Sequence, residues 1–196
     1  RESSENYAKR KKLAYYLNYT GPIVNASVDP IFRNEIKREY TDTAKFKVFL
    51  DDSDRTGADL QNYIRRLAVM AKLYGVVYVI VNNETEIGET VQDSLDKRAL
   101  PYLAHVLPSE VTHWRFDDHG RMVEFGYQST IKDSEDKTKT RYYTWTETAW
   151  AVADENKQII RQGEHGLGRL PVVQWFGRSN DPMEALPPPE FLSVAQ

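Results

Sequence analysis

Cysteine is absent from the 196 residues, which excludes disulfides and thiolate metal sites and suits a reducing compartment. Long apolar runs are absent too. None approaches the ~20 residues that a membrane-spanning helix needs, and the N-terminal stretch has no apolar core of the signal-peptide kind, so the chain reads as soluble. A surplus of basic charge is missing: the net charge of −3 argues against a simple basic nucleic-acid binder. The glycine-rich phosphate and dinucleotide fingerprints, the H-E-x-x-H pair of zinc hydrolases and the G-x-S-x-G elbow do not occur. There is no repeat of solenoid length.

What is present is ordinary for a folded domain. Hydrophobic residues are 40% and charged residues 28%, enough to bury a sizeable core. Twelve Tyr and four Trp concentrate in the second half, among short strand-like runs that suit pleated, half-buried surfaces. Three N-x-S/T triplets, at Asn18, Asn25 and Asn83, read as chance matches in a chain without cysteine.

The first half reads as helical. Tyr7, Leu13, Ala14 and Leu17 give a thin apolar stripe, with Lys9, Arg10, Lys11 and Lys12 on the solvent side. That basic run is either a patch for an acidic partner or a solvated helix face, and the second reading is preferred. Pro22 suits a first helical position, and Ile23, Val24, Val28, Ile31 and Phe32 supply an apolar face. Asp29 precedes Pro30 and should avoid helical geometry. A kink is expected there, or two short helices, the second starting at Pro30 with Asp29 as its cap. Residues 45–50 alternate as K-F-K-V-F-L, which predicts a short strand.

The acidic turn at Asp51, Asp52, Ser53 and Asp54 lacks the mid-loop Gly and closing Glu of a calcium loop. Thr56 and Asp59 resemble a capping box with Asp in place of Glu. The strongest helix follows. Leu60, Ile64, Leu67, Ala68, Ala71 and Tyr74 keep helical spacing, and Tyr63, Met70 and Leu73 widen the stripe to two buried faces. Gly75 stops it, and the β-branched run at 76–81 predicts a central strand buried on both sides.

Residues 82–99 are polar and read as a loop or insertion. Strands are predicted at 102–107, 111–116, 121–128, 141–145, 149–153 and 158–162, with turns at 117–120 and 154–157 and a charged link at 132–139. A glycine-rich loop at 163–170 leads into 171–176. The fold class expected is α+β, with N-terminal helices packed on a mixed, mainly antiparallel sheet. The whole chain, 1–196, is expected to be a single domain with a helical part at about 1–81 and a β-rich part at about 100–176.

Chemistry finds little support in the sequence. His105, His113, His119 and His165 lack the clustered spacing of metal ligands. Glu110, Asp117 and Asp118 look like turn residues, and Ser109 after Pro108 does as well. Trp114, Trp145, Trp150 and Trp175 could stack nucleic-acid bases, but they sit among apolar strand residues and read as packing. No catalytic, cofactor-binding or metal-binding residue is assigned.

At the C-terminal end, Pro187, Pro188 and Pro189 lead into Glu190, and Phe191, Leu192 and Ala195 keep helical spacing. Proline and an acid in a first turn are a helix-start pattern, so a helix is expected to begin at 187–196. The first residues carry no initiator Met, and the chain reads as a piece of a longer protein.

Four stretches together resemble portal proteins of tailed bacteriophages. They are residues 15–25 (YYLNYTGPIVN) leading into a helix that ends near Ile36, residues 67–79 (LAVMAKLYGVVYV), residues 106–111 (VLPSEV), and residues 170–177 (LPVVQWFG) followed by the proline-rich 186–196. None is a signature alone; their order and spacing carry the likeness across nearly the whole chain. The resemblance implies a structural subunit of a ring of about twelve copies at one vertex of the phage head. Through the ring, double-stranded DNA is packaged and ejected without sequence-specific binding. It further implies docking of the terminase motor, capsid and tail-connector proteins, assembly in the bacterial cytoplasm, residence in the virion and no membrane. It implies no catalysis, because the ATPase is a separate protein. This chain would correspond to the wing, with 187–196 opening the first stem helix. The alternatives are another phage head or connector component, from a phage or prophage, or a ligand-binding or hydrolase-like α+β domain.

Overall fold

The computed structural model describes residues 3–13, 19–41, 44–83, 90, 99–132 and 138–190. In chain order the helices are α1 (Ser4–Leu13), α2 (Thr20–Phe32), α3 (Ala44–Asp51) and α4 (Leu60–Tyr74). The strands are β1 (Val76–Asn82), β2 (Tyr102–Val106), β3 (Val111–Phe116), β4 (Met122–Lys132), β5 (Thr138–Thr146), β6 (Ala149–Ala153), β7 (Ile159–Glu164) and β8 (Val172–Phe176). A 3-10 turn, Pro108–Glu110, separates β2 from β3. The fold is α+β. Its strands form two sheets, one of three strands in the order β2-β1-β8 and one of five in the order β3-β4-β5-β6-β7, and every pairing is antiparallel.

Strand β1 organises the core. Its side chains alternate. Val76, Tyr78 and Ile80 face Val106, Phe125 and Trp145, whereas Val77 and Val79 face Tyr63, Leu67 and Ala71 of α4. The three-stranded sheet therefore lies between α4 and the five-stranded sheet. This is why the 76–81 run is apolar on both faces: a strand with only one buried face would alternate. Gly75 makes the sharp passage from α4 to β1 at φ 86° and donates its N–H to the Ala71 carbonyl oxygen.

Several elements depart from expectation. Residues 45–50 lie in helix α3 and not in a strand. Phe46 and Phe49, three apart, stack at 5.9 Å, and Tyr40 meets Phe46 edge-on at 4.6 Å. The i, i+3 pair decides the geometry over a short alternation. The 20–32 segment is one helix and no second helix starts at Pro30. Only two residues follow that proline in α2, so the missing N–H removes a single hydrogen bond near the end. Asp29 pairs with Arg65 of α4 and caps nothing. Pro22 is the third helical residue, and α2 ends at Phe32, before Ile36. Only Val24 and Val28 of its apolar face are buried; Ile23 and Ile31 are exposed. The cap of α4 is Asp59, whose carboxylate accepts from Asn62 N at 2.9 Å, and not Thr56. Tyr63, Leu67 and Ala71 are buried on α4, but Leu73 and Tyr74 are exposed.

Helix α1 is present, but residues 3–12 are exposed throughout, so the Tyr7 stripe buries nothing there. Ala14 and Leu17 lie outside the described residues. The predicted strands and turns of the second half are observed. The first of them, Tyr102–Val106, joins the β1 sheet and not the meander, and β4 and β5 extend the hairpin to Lys132 opposite Thr138. Residues 84–89, 91–98, 133–137 and 191–196 lie outside the described residues. Of the helix start expected at 187–196, residues 187–190 are described and are not helical.

Candidate functional site

After β8 the chain turns back over the sheets as a strap. Its path follows from contacts that only small or rigid residues permit. Gly177 N–H donates to the Gly75 carbonyl oxygen at 2.9 Å. A side chain on Gly177 would collide with the Ala71 carbonyl, and one on Gly75 would collide with the carbonyl oxygens of Pro187 and Pro188. Both glycines are therefore needed for close backbone approach. Farther along, Asp181 accepts from Met183 N at 2.9 Å and forms a turn. The Met183 side chain reaches Gly120, in the β3–β4 hairpin turn. Ala185 is buried and its carbonyl accepts the Tyr78 hydroxyl. Glu190 pairs with Lys72 of α4.

The strap thus touches the hairpin tip, the inner face of β1 and the C-terminal turn of α4. Burial raises the Tyr78 hydroxyl pKa to about 12, with Gln174 hydrogen bonding opposing the rise. The phenol stays protonated at neutral pH and remains a donor to the strap.

A second polar cluster lies where α4 meets β2. Tyr63 OH is 3.5 Å from His105 Nδ1, and the rings meet edge-on at 6.1 Å. Arg66 lies over the Tyr63 ring at 5.1 Å and pairs with Asp54 at 2.6 Å. Burial and the Arg66 charge depress the His105 pKa, outweighing the attraction of Glu110 and Asp54. His105 is therefore held neutral. Burial raises the Tyr63 pKa to about 12. Burial also pushes the Asp54 carboxyl upward, but hydrogen bonds from Thr56, Arg66 and Ala58 outweigh it and hold the group below its ordinary range.

The acidic turn has a structural use. Asp52 accepts from Gly57 N at 2.8 Å and Asp54 from Thr56 N at 2.9 Å. Buried Ser53 ties the turn to β2 through its carbonyl oxygen, which accepts Leu103 N at 2.8 Å. Among the described residues, no three His, Asp or Glu side chains gather as a metal-binding group.

The histidines are dispersed. His105 and His113 lie in different sheets. The His113 ring lies against Gly126 across the strand pair, with Nε2 3.4 Å from Glu124. His119 sits in the β3–β4 turn, where Asp117 accepts its N–H at 2.9 Å. His165 Nε2 is 3.0 Å from the Thr146 carbonyl, which can only accept, and Nδ1 receives Leu167 N at 3.3 Å. Those contacts match the tautomer that carries its proton on Nε2. Glu110 accepts from Leu107 N at 2.8 Å and closes the 3-10 turn that contains Ser109.

The tryptophans do not form one platform. Trp145 is buried, Trp150 and Trp175 are half-buried, and Trp114 alone is exposed. Lys9, Arg10, Lys11 and Lys12 lie exposed on α1, and no helix of the described residues is long and apolar enough to cross a membrane.

The strap has one signal in the sequence, the proline run at 187–189, and that pattern predicts a helix start instead. Compared with known proteins, the chain matches no protein-family model, and no curated protein gives a significant match.

Proposed function

We propose that this chain is the wing of a portal subunit from a tailed bacteriophage or prophage, a structural part of the ring through which double-stranded DNA enters and leaves the head. The strap is the observation that carries the reading. It fixes the chain at Gly75, Tyr78 and Lys72, so Glu190 is held at a defined point beside the end of α4. In the portal likeness that is the passage from wing to stem. A stem helix under load needs such an anchored departure, because a loosely held linker would let wing and stem move independently.

The α+β architecture with a helix packed against antiparallel strands agrees with the likeness, as do the order and spacing of the four stretches. The mild negative charge agrees as well. A conduit that neutralised many phosphates would hold its cargo. In this reading the protein is not an enzyme. It self-associates, and its further partners are the packaging motor, capsid and tail-connector proteins. It is assembled in the bacterial cytoplasm and resides at the portal vertex.

The test is the mass in solution of the protein expressed from its whole reading frame. Light scattering should give a closed ring of about a dozen subunits, visible as an annulus by electron microscopy. A monomer or dimer at every concentration overturns the reading.

A further inference from the structure

The two sheets pack tightly at Tyr78 and Phe125, whose rings are 4.6 Å apart, and part toward β6 and β7. The gap is a cleft of about 250 Å³. One wall is aromatic, made by Tyr143, Trp145 and Trp150 of the five-stranded sheet; the other holds Tyr102, at the start of β2, and Asn83, just past β1; Arg161 of β7 stands at the edge. Strand register builds it. Tyr143 pairs with Val152, Trp145 with Trp150, and Val152 with Arg161, and directly paired residues point to the same face. Gly163, opposite Trp150, makes room for the indole to lie against its backbone: a methyl there would be 3.1 Å from the ring.

Among the described residues, Arg161 is the one charged side chain that lines the cleft. Arg161 lies over the Trp150 ring at 5.8 Å and has no carboxylate partner among the described residues. Among the described residues, no acidic side chain lines the cleft. Asn82 is already engaged, donating to Tyr102 OH at 2.9 Å and accepting Asn83 N at 2.8 Å. What is left to offer is a flat aromatic wall and a planar guanidinium beside it. A guanidinium grips a carboxylate through two parallel hydrogen bonds, and an indole face takes a flat unsaturated ring. The volume is slightly below the ~300 Å³ at which ordinary ligand pockets begin, so the ligand is a single ring and not a nucleotide or an oligosaccharide.

We infer that this inter-sheet cleft is a binding site for a small planar carboxylate, held by ring stacking on Trp150 and by a charge pair with Arg161. The site is independent of the portal reading, and of the strap, which runs along the other end of β1.

Benzoate is the probe, with benzamide as its uncharged counterpart of the same shape. Indole N–H resonances of the folded protein report where each binds. Benzoate should shift Trp145 and Trp150 saturably and leave Trp114 and Trp175 in place. Benzamide should bind at least about tenfold more weakly, since it lacks the charge that pairs with Arg161. Arg161→Gln should remove the preference for benzoate, and Asn83→Asp, which adds a negative charge to the wall, should weaken benzoate but not benzamide. Both substitutions are on exposed residues, and an unchanged indole spectrum without ligand shows that the fold is intact. The inference is overturned if benzoate produces no saturable shift, if benzamide binds equally well, if all four indoles respond alike, or if Arg161→Gln keeps the preference.

Discussion

The two sheets share one core but are assembled from the chain in opposite ways. The five-stranded sheet is a run of neighbours: each strand pairs with the next, through turns built by Asp117, Gly120, Asp154 and Lys157. The three-stranded sheet is closed by distant chain. Val76 pairs with Phe176, and the strap bond from Tyr78 to Ala185 joins residues 107 apart in sequence. Local pairing loses little loop-closure entropy, whereas distant closure must be offset by burial and fit. The meander can therefore tolerate change at its edges. The β1 sheet depends on a few close approaches that admit no extra atom.

Substitutions can break this contrast, and the largest effect should come where the sheets meet. Phe125 is fully buried against Tyr78, so Phe125→Ala should cost about 3–5 kcal/mol and lower the urea midpoint of both sheets together. Gly75→Ala should follow at about 2 kcal/mol or more. The backbone there is left-handed, which a side chain disfavours by ~1–2 kcal/mol, and the new methyl meets the Pro187 and Pro188 carbonyls. Its damage should fall on the distant closure first.

Acid should sharpen the contrast on the α4 side. His105 has a depressed pKa in the fold. Its contribution to stability is therefore complete above the unfolded value of 6.5 and is lost as pH falls through the folded value. Asp54, depressed from 3.8, behaves likewise at lower pH. Urea midpoints measured between pH 7 and pH 4 should fall, and the fall should flatten in His105→Gln. The smallest effect belongs to the meander edge. Ile159 is 61% exposed on β7, and Ile159→Thr should change stability by less than about 0.5 kcal/mol in the same measurement.

The contrast also explains what could be read from the sequence. The meander was legible because turns and alternation are local signals: Asp117 to Gly120 announces a hairpin whatever lies elsewhere. Gly75, with a helix before it and a β-branched run after it, was legible for the same reason. The pairing of β1 with β8, and the strap, were not. No local pattern says that Pro188 passes over Gly75 or that Tyr78 donates to Ala185. Residues 45–50 misled because an alternation of six residues is weaker than one Phe46–Phe49 stack. The cleft was legible only in its parts. Trp150 and Tyr143 could be placed on strands, but their meeting with Tyr102 and Asn83 depends on how the two sheets pack.

The central claim is that the sheet closed by distant chain is anchored at the Gly75 crossing, while the meander holds itself. Amide hydrogen exchange on the native protein and on Gly75→Ala tests it most directly. The account predicts that amides of β1 and β8, with those of the strap, lose protection in the variant while those of β4 and β5 keep theirs. Uniform loss across both sheets would contradict it, and would make the fold one cooperative unit in which the crossing has no special part.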